Sequence, residues 1–251
     1  MLALDRRATA RSSRRVSACG RRAPGTRGHF RLAIVLVGFA CLAVPPASRS
    51  FEQFDPRSQT PLSDILEIVA LPRSLLAIDA TSGGSVEEDL ELGETVLWQR
   101  TRGRVGAVVT DRRLLLVATN SGSWQSTRFG QGERPPSSVL LGDRVAAVHT
   151  KRRILGFDGG SGNLVESSLG PREVVRETAV GENVAVVVTD RRALGLSPFA
   201  GGFFPAPILL GERIESVEAK ANLATITTQR RLLIFRAGTG NWEERRRDLS
   251  N

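Results

Sequence analysis

The sequence is poor in the side chains that carry most acid–base and metal chemistry. Its 251 residues include no tyrosine, two histidines and two cysteines. Few groups can therefore titrate near neutral pH, and a disulfide scaffold is excluded. Both cysteines, Cys19 and Cys41, precede residue 50, and a cysteine-free body suits an oxidising compartment. Aromatic residues make up only 5% of the chain, whereas a hydrophobic fraction of 41% excludes a wholly disordered protein.

The positive charge is concentrated at the N-terminus. The whole chain has a net charge of +9 and a pI near 11.2, values typical of nucleic-acid or membrane-surface binders. Residues 1–31, however, contain nine arginines and one acid, Asp5, which leaves 26 basic against 25 acidic residues in the remainder. The basic character therefore belongs to a leader, and we expect no nucleic-acid partner.

An export signal is predicted directly after this leader. Residues 32–44 are thirteen apolar residues without a charge, followed by Pro45, Pro46 and small residues. This order matches a secretory signal, and as a helix it would span about 20 Å, short of a bilayer core. A cleaved signal, an uncleaved anchor at residues 32–44 and a buried core segment remain the alternatives. The predicted organisation is a basic leader (1–31), a signal or anchor (32–50) and a repeat domain (51–251) in the periplasm or outside the cell.

A repeat organises the body. The tetrapeptide at residues 110–113, Thr-Asp-Arg-Arg, recurs in related form at 150–153, 189–192 and 228–231, with spacings of 40, 39 and 39 residues. A degenerate copy lies at 71–74. Numbering from the threonine as zero, position −2 is valine or isoleucine, +2 arginine, +5 leucine and +12 glycine in all five copies. Agreement in four columns without gaps establishes the repeat.

Each repeat reads as four short strands. β-branched runs with turn residues every 8–12 positions indicate an all-β protein, and four strands in 39–40 residues are the size of a β-propeller blade. We expect five four-stranded blades over residues 59–250, with strands at 59–64 and 137–141 among them. Whether the ring closes with five blades or by dimerisation stays open. The columns at −2 and +5 are the predicted packing residues, and Trp124, Leu164, Phe203 and Trp242 are predicted to fill the space between blades.

Two segments carry a family resemblance. Residues 76–83, Leu-Ala-Ile-Asp-Ala-Thr-Ser-Gly, and 155–162, Leu-Gly-Phe-Asp-Gly-Gly-Ser-Gly, resemble the A-x-D-x-x-T-G signature of pyrroloquinoline-quinone-type propeller repeats, which belong with WD-like repeats among the β-propellers. In this class a tryptophan follows the glycine by four residues, whereas Trp124 and Trp242 follow it by two. Vicinal cysteines and calcium-ligating acids of the quinoprotein dehydrogenases have no counterparts. The resemblance therefore implies a propeller fold in a non-enzymatic member, without the quinone cofactor.

Catalytic and metal sites have little support in the sequence. His149 is the single histidine of the body and takes a position where the sister repeats have Val109 and Val188, so we interpret it as an ordinary strand residue. Residues 158–163 place oxygen ligands near glycines but lack the further acids of a calcium loop, which favours a turn in which Asp158 binds its own backbone. We expect no enzyme activity, no metal and no cofactor.

The arginine columns are the candidate binding site. In a propeller all five hairpins would emerge on one face and form a ring of arginines suited to carboxylate, phosphate or sulfate. Polar hairpins that merely repeat by duplication are the alternative. The nine candidates are Arg73, Arg112, Arg113, Arg152, Arg153, Arg191, Arg192, Arg230 and Arg231.

Two functions fit these features. The first is an exported, non-catalytic propeller that acts as a scaffold or protein-interaction module in the cell envelope, with an envelope or extracellular protein of anionic character as partner. Membrane contact would then occur only through an uncleaved N-terminal segment. The second is a carbohydrate-binding, lectin-like five-bladed propeller that uses the repeated aromatic position.

Overall fold

The computed structural model describes residues 65–247. The predicted leader (1–31), the predicted signal or anchor (32–50) and the predicted strand at 59–64 lie outside the described residues. No helix within 65–247 is long and apolar enough to cross a membrane. The described residues all belong to one compact unit.

Regular structure in this range consists of nineteen β-strands in five antiparallel sheets, each a meander of strands consecutive in sequence. Sheet I contains β1 (Leu66–Ala70), β2 (Ser74–Asp79) and β3 (Ser85–Asp89). Sheet II contains β4 (Val96–Arg102), β5 (Val105–Thr110), β6 (Arg113–Ala118) and β7 (Gln125–Arg128). Sheet III contains β8 (Leu140–Leu141), β9 (Val145–His149), β10 (Arg153–Asp158) and β11 (Asn163–Ser168). Sheet IV contains β12 (Val175–Val180), β13 (Ala185–Thr189), β14 (Arg192–Leu196) and β15 (Phe203–Pro207). Sheet V contains β16 (Ile214–Lys220), β17 (Leu223–Thr228), β18 (Arg231–Arg236) and β19 (Asn241–Arg246).

The sheets stack in the same orientation. First strands contact first strands, as β12 contacts β16, and fourth strands contact fourth strands, as β7 contacts β11. At one edge, turns between first and second strands are joined from sheet to sheet, because Arg104 N–H donates to the Asp143 carbonyl and Arg144 N–H to the Glu182 carbonyl. The hairpins between second and third strands therefore share the opposite edge, which we call the hairpin edge. The all-β prediction is confirmed, and five stacked antiparallel sheets are consistent with a β-propeller.

The core lies between consecutive sheets. Four buried clusters join sheets I–II, II–III, III–IV and IV–V. Because the middle strands face a neighbouring sheet on both sides, β5 and β6 are buried at every residue, and their sequences read as continuous apolar runs rather than alternating ones. The predicted packing columns are buried in sheets II–V, as Val108 and Leu115 illustrate with exposures of 0%.

Aromatic and glycine positions complete the packing between sheets. Trp124, Leu164, Phe203 and Trp242 all pack against the intersheet clusters, as predicted. Glycine at the +12 column has a positive φ in all five repeats, between 61° and 72°, a region in which side chains are strained. The column is therefore a backbone requirement of the turn between third and fourth strands.

Two sequence predictions differ from the structure. Val69 in sheet I is 37% exposed and Leu76 is only half-buried, because these columns face the preceding sheet and sheet I comes first among the described residues. In sheet III the strand predicted at 137–141 is reduced to Leu140–Leu141. Pro135 and Pro136 precede it, and proline has no N–H to donate to a ladder.

Candidate functional site

The hairpin edge contains one hydrogen-bonded unit in four copies. The threonine at position zero accepts N–H groups from both following arginines; Thr110 Oγ1, for example, lies 3.1 Å from Arg112 N and 2.9 Å from Arg113 N. The same hydroxyl donates to a glutamate of the loop before the first strand, at 2.7 Å for Thr110 and Glu94. The other pairs are Thr150–Glu133, Thr189–Glu173 and Thr228–Glu212.

The second arginine of each hairpin completes this unit. Arg113 Nε donates to Glu94 Oε1 at 2.9 Å, and Arg231 Nε donates to Glu212 Oε1 at 2.8 Å. The two glutamate side chains are fully buried, with exposures of 0%. Arg153 and Arg192 bind Glu133 and Glu173 in the same way.

The same arginines also hold consecutive sheets together. Arg113 Nη2 donates to the Asp89 carbonyl of sheet I at 2.6 Å, and Arg231 Nη2 donates to the Pro207 carbonyl of sheet IV at 2.8 Å. Arg153 and Arg192 reach the carbonyls of Arg128 and Ser168. Each guanidinium group at position +3 thus binds the glutamate of its own repeat and a main-chain carbonyl of the preceding sheet.

The electrostatics of the unit favour the charged pair. The Arg231 guanidinium lowers the pKa of Glu212 to about 2, with further help from the Leu209 N–H and the Thr228 hydroxyl, and against the opposing effect of burial. For Glu94, burial is the largest influence and acts to raise the pKa, yet Arg113 and the Glu91 N–H outweigh it and the pKa is lowered. These carboxylates therefore stay ionised at neutral pH although they are enclosed.

The first arginine of each hairpin, at position +2, points outward. Arg112, Arg152, Arg191 and Arg230 are exposed, as is Arg73 in sheet I. Arg112 Nη2 donates to the Leu92 carbonyl at 3.0 Å, and Arg191 Nη2 donates to the Pro171 carbonyl at 2.8 Å. The structure thus brings the nine predicted arginines to one edge but divides them into an internal and an exposed series. Their role in binding stays a prediction.

The glutamates of this unit are not among the site residues predicted from the sequence. Glu94, Glu173 and Glu212 stand 16 residues before the threonine, and Glu133 stands 17 before it. Extending the repeat alignment upstream would have found this column. The residue before the glutamate has a positive φ in all four repeats, and it is glycine in three of them and Arg172, with φ 63°, in the fourth.

The remaining sequence candidates have structural settings. Asp158 Oδ1 accepts the Gly160 N–H at 2.8 Å, which is the predicted turn. Within residues 65–247, no group of three His, Cys, Asp or Glu side chains is arranged to hold a metal ion. Trp124 Nε1 donates to the Val86 carbonyl at 3.1 Å and Trp242 Nε1 to the Phe204 carbonyl at 2.8 Å. Both indoles lie between sheets, a position that does not support stacking on a sugar.

Comparisons with known proteins find distant structural neighbours only. No protein-family model and no curated protein matches the sequence. Human WBSCR16 is 13% identical with a TM-score of 0.37, over 65% of this chain and 56% of that one. PorZ, a surface component of the type-IX secretion system of Porphyromonas gingivalis, is 10% identical with a TM-score of 0.36, over 78% and 28%. Hsv2p of Kluyveromyces lactis is 13% identical with a TM-score of 0.34, over 75% and 62%. The chain thus spans about half of the first and under a third of the second, and such scores carry no inference about function. The neighbours are of the WD40 or β-propeller type.

Proposed function

We propose that this chain is an exported, non-catalytic propeller that serves as a protein-interaction scaffold in the cell envelope. One observation carries the proposal: the four-stranded sheets each present an exposed arginine at the same hairpin position, beside a second arginine that is engaged internally. The exposed series is Arg112, Arg152, Arg191 and Arg230, with Arg73 at the same position in sheet I. Guanidinium groups bind carboxylates in a bidentate manner, so the partner would be an anionic protein.

Apolar side chains beside these arginines strengthen the proposal. Leu92 and Leu210 sit at the tips of the turns before Glu94 and Glu212 and are almost completely exposed. Arg112 donates to the Leu92 carbonyl, so cation and leucine share one turn. A surface that offers both apolar and arginine contacts is typical of protein interfaces.

The finer architecture belongs to the same proposal. Each sheet corresponds to one repeat, which supports five blades, and the quoted Asp-containing segments support a repeat of the pyrroloquinoline-quinone-like class. Export to the periplasm or beyond rests on the basic leader and the apolar run at 32–44. Ring closure would require sheet V, or a second copy, to cover the exposed face of sheet I at Val69.

The test is a fourfold substitution that spares the internal arginines. A partner would be isolated from the envelope of the source organism with the wild-type protein, and its affinity would then be measured by titration calorimetry at several salt concentrations. The test variant changes Arg112, Arg152, Arg191 and Arg230 to glutamine. The control variant makes the same charge change at exposed cations away from the hairpin edge, namely Arg100, Arg102, Lys220 and Arg236.

We expect the test variant to bind at least tenfold more weakly and with a flatter salt dependence, because interactions between exposed charges are screened by salt. The control variant should keep the wild-type affinity. Equal binding by wild-type and test variant would contradict the proposal.

A further inference from the structure

Sheet III departs from its sister sheets at the hairpin edge. In sheets II, IV and V the first strand starts two residues after the buried glutamate, at Val96, Val175 and Ile214. In sheet III it starts only at Leu140, seven residues after Glu133. The segment between them contains Pro135 and Pro136, and the distance from the glutamate to the hairpin threonine is one residue longer than in the other repeats.

The second strand of sheet III consequently has an unpaired edge. Thr150 N–H donates to the Arg153 carbonyl on the β10 side, so the neighbouring His149 and Lys151 direct their backbone groups to the opposite side, because successive residues of a strand alternate. Ladder partners on that side end with Leu140 opposite Ala147. In the sister sheets, Val109, Val188 and Thr227 at the His149 position pair with the first strand.

The N–H of Lys151 shows the same difference. In the sister sheets, the backbone N–H at the position equivalent to Lys151 donates to a carbonyl beside the first strand. Asp111 donates to Thr95 at 3.0 Å, Asp190 to Val174 at 3.1 Å and Gln229 to Arg213 at 3.1 Å. Lys151 N–H has no such bond within the described part of the chain. Two N–H groups and one carbonyl, spaced as in a β-ladder, are therefore unpaired at this edge.

A cleft of about 480 Å³ opens beside these groups. Its lining includes the polar residues Arg134, His149 and Lys151 and the apolar residues Leu169, Val174 and Val175. The cleft has the volume of a typical ligand pocket. His149 is exposed, and partial burial lowers the pKa of its imidazole, so it contributes no positive charge at neutral pH.

The charge of the cleft is positive and unbalanced. Neither Arg134 nor Lys151 has an ion pair with any residue in 65–247. Glu173 also borders the cleft, but its oxygens accept from Thr189, Arg192 and the Gly170 N–H. Two cations are left to attract a ligand of negative charge.

We propose that this cleft binds an extended acidic segment of a partner polypeptide, which adds to sheet III as the strand that the two prolines displace. The main chain of the segment pairs with His149 and Lys151, its acidic side chains meet Arg134 and Lys151, and its apolar side chains contact Val174. Addition of a strand to an open edge is a recurring mode of peptide binding. The inference rests on the proposed scaffold function and names the kind of segment it would capture.

The probe is a fluorescein-labelled nine-residue peptide of alternating glutamate and valine, with fluorescence anisotropy as the readout. We expect saturable binding that weakens at least tenfold when alternate backbone nitrogens of the peptide are methylated, since the charges are then unchanged and only main-chain donors are lost. The double variant Arg134→Ala with Lys151→Ala should also bind at least tenfold more weakly. The control, Arg213→Ala, removes a cation from the position in sheet V that corresponds to Arg134, where the strand is paired, and should change affinity less than twofold.

Amide hydrogen exchange locates the bound peptide. The amides of His149 and Lys151 should exchange rapidly in the free protein, faster than that of Val188, and should slow at least tenfold with the peptide. Absence of binding at millimolar peptide, equal binding of the methylated peptide, or slow exchange of both amides in the free protein would overturn the inference. The last result would mean that residues 134–139 already cover the edge.

The two proposals can fail separately. The fourfold variant at Arg112, Arg152, Arg191 and Arg230 retains Arg134 and Lys151, so it should bind the peptide within twofold of wild type. If the peptide binds but the fourfold variant keeps the wild-type affinity for the partner, the cleft proposal stands and the arginine proposal is wrong. If the fourfold variant loses affinity for the partner but the peptide does not bind, only the cleft proposal is wrong.

Discussion

Replacing Glu212 by glutamine removes one negative charge from the internal unit of sheet V while keeping its shape. Both oxygens of this carboxylate are in use: Oε1 accepts from Thr228 and from Arg231 Nε at 2.8 Å, and Oε2 accepts from Arg231 Nη2 at 2.8 Å. The side chain has no exposed surface. The substitution leaves Arg231 with its second partner, Glu244, at 2.7 Å, so the protein should still fold.

The size of the effect follows from the pKa of Glu212. It falls from 4.5 to about 2 because of the Arg231 guanidinium. Since each unit is about 1.4 kcal/mol, the carboxylate contributes about 3 kcal/mol to the free energy of unfolding at pH 7. The folded-state pKa is the lower one, so this contribution is complete above the unfolded pKa and is lost as pH falls. It declines to about 1.4 kcal/mol at pH 3 and to below about 0.5 kcal/mol at pH 2.

The assay is urea unfolding followed by tryptophan fluorescence at pH 7, 5 and 3. Glu212→Gln should unfold about 3 kcal/mol more easily than wild type at pH 7, and the difference should shrink by about half at pH 3. Glu218→Gln, on an exposed part of the same sheet with a 3.4 Å pair to Lys220, should cost at most about 1 kcal/mol. Equal effects of the two substitutions, or a difference that does not change with pH, would refute the reasoning.

Three further substitutions test other parts of the repeat by urea unfolding. Thr189→Val leaves the N–H groups of the following arginines unpaired and should destabilise by about 2 kcal/mol; a change below about 0.5 kcal/mol would contradict this. Gly195→Ala places a Cβ 2.6 Å from the Phe235 ring and should cost about 1–3 kcal/mol, whereas the control Gly238→Ala, with open space around it, should be nearly neutral. Arg172→Gly relieves a positive φ of 63° and should stabilise by about 1 kcal/mol; destabilisation would contradict that interpretation.

The repeat pattern predicted the architecture because most columns report local requirements. Glycine at +12 follows from a left-handed turn, and leucine at +5 follows from a strand that is covered by the preceding sheet. Both requirements depend only on one repeat and the repeat next to it. They therefore recur in each repeat, and the same residue type recurs in the sequence every 39–40 positions. Leu76 shows where this fails, since its residue type is the same as that of the buried Leu115 and only its place in the first sheet leaves it half-buried.

The candidate site was less predictable than the fold. Arg112 and Arg113 are adjacent residues of the same type, so the sequence does not distinguish them. In the hairpin, successive side chains point in opposite directions, and Arg112 faces solvent while Arg113 faces Glu94. The glutamate column was detectable by spacing, but its role depends on a loop that the repeat alignment alone does not place. The open edge at His149 arises from two prolines whose effect is visible only by comparison with the paired edges of the other sheets.

Repetition itself helps to separate structural from functional residues in this chain. The Thr–Glu–Arg unit occurs in every four-stranded sheet, and its polar atoms are satisfied by one another and by the preceding sheet. A feature that is present in every sheet stabilises the stack and gives no sheet a function of its own.

The unpaired edge beside His149 occurs in sheet III alone among the four-stranded sheets of residues 65–247, and its N–H groups and cations have no internal partners there. An unpaired edge costs stability and invites unwanted strand pairing. Its presence in one sheet, next to two free cations, is better explained by a ligand than by the needs of the fold.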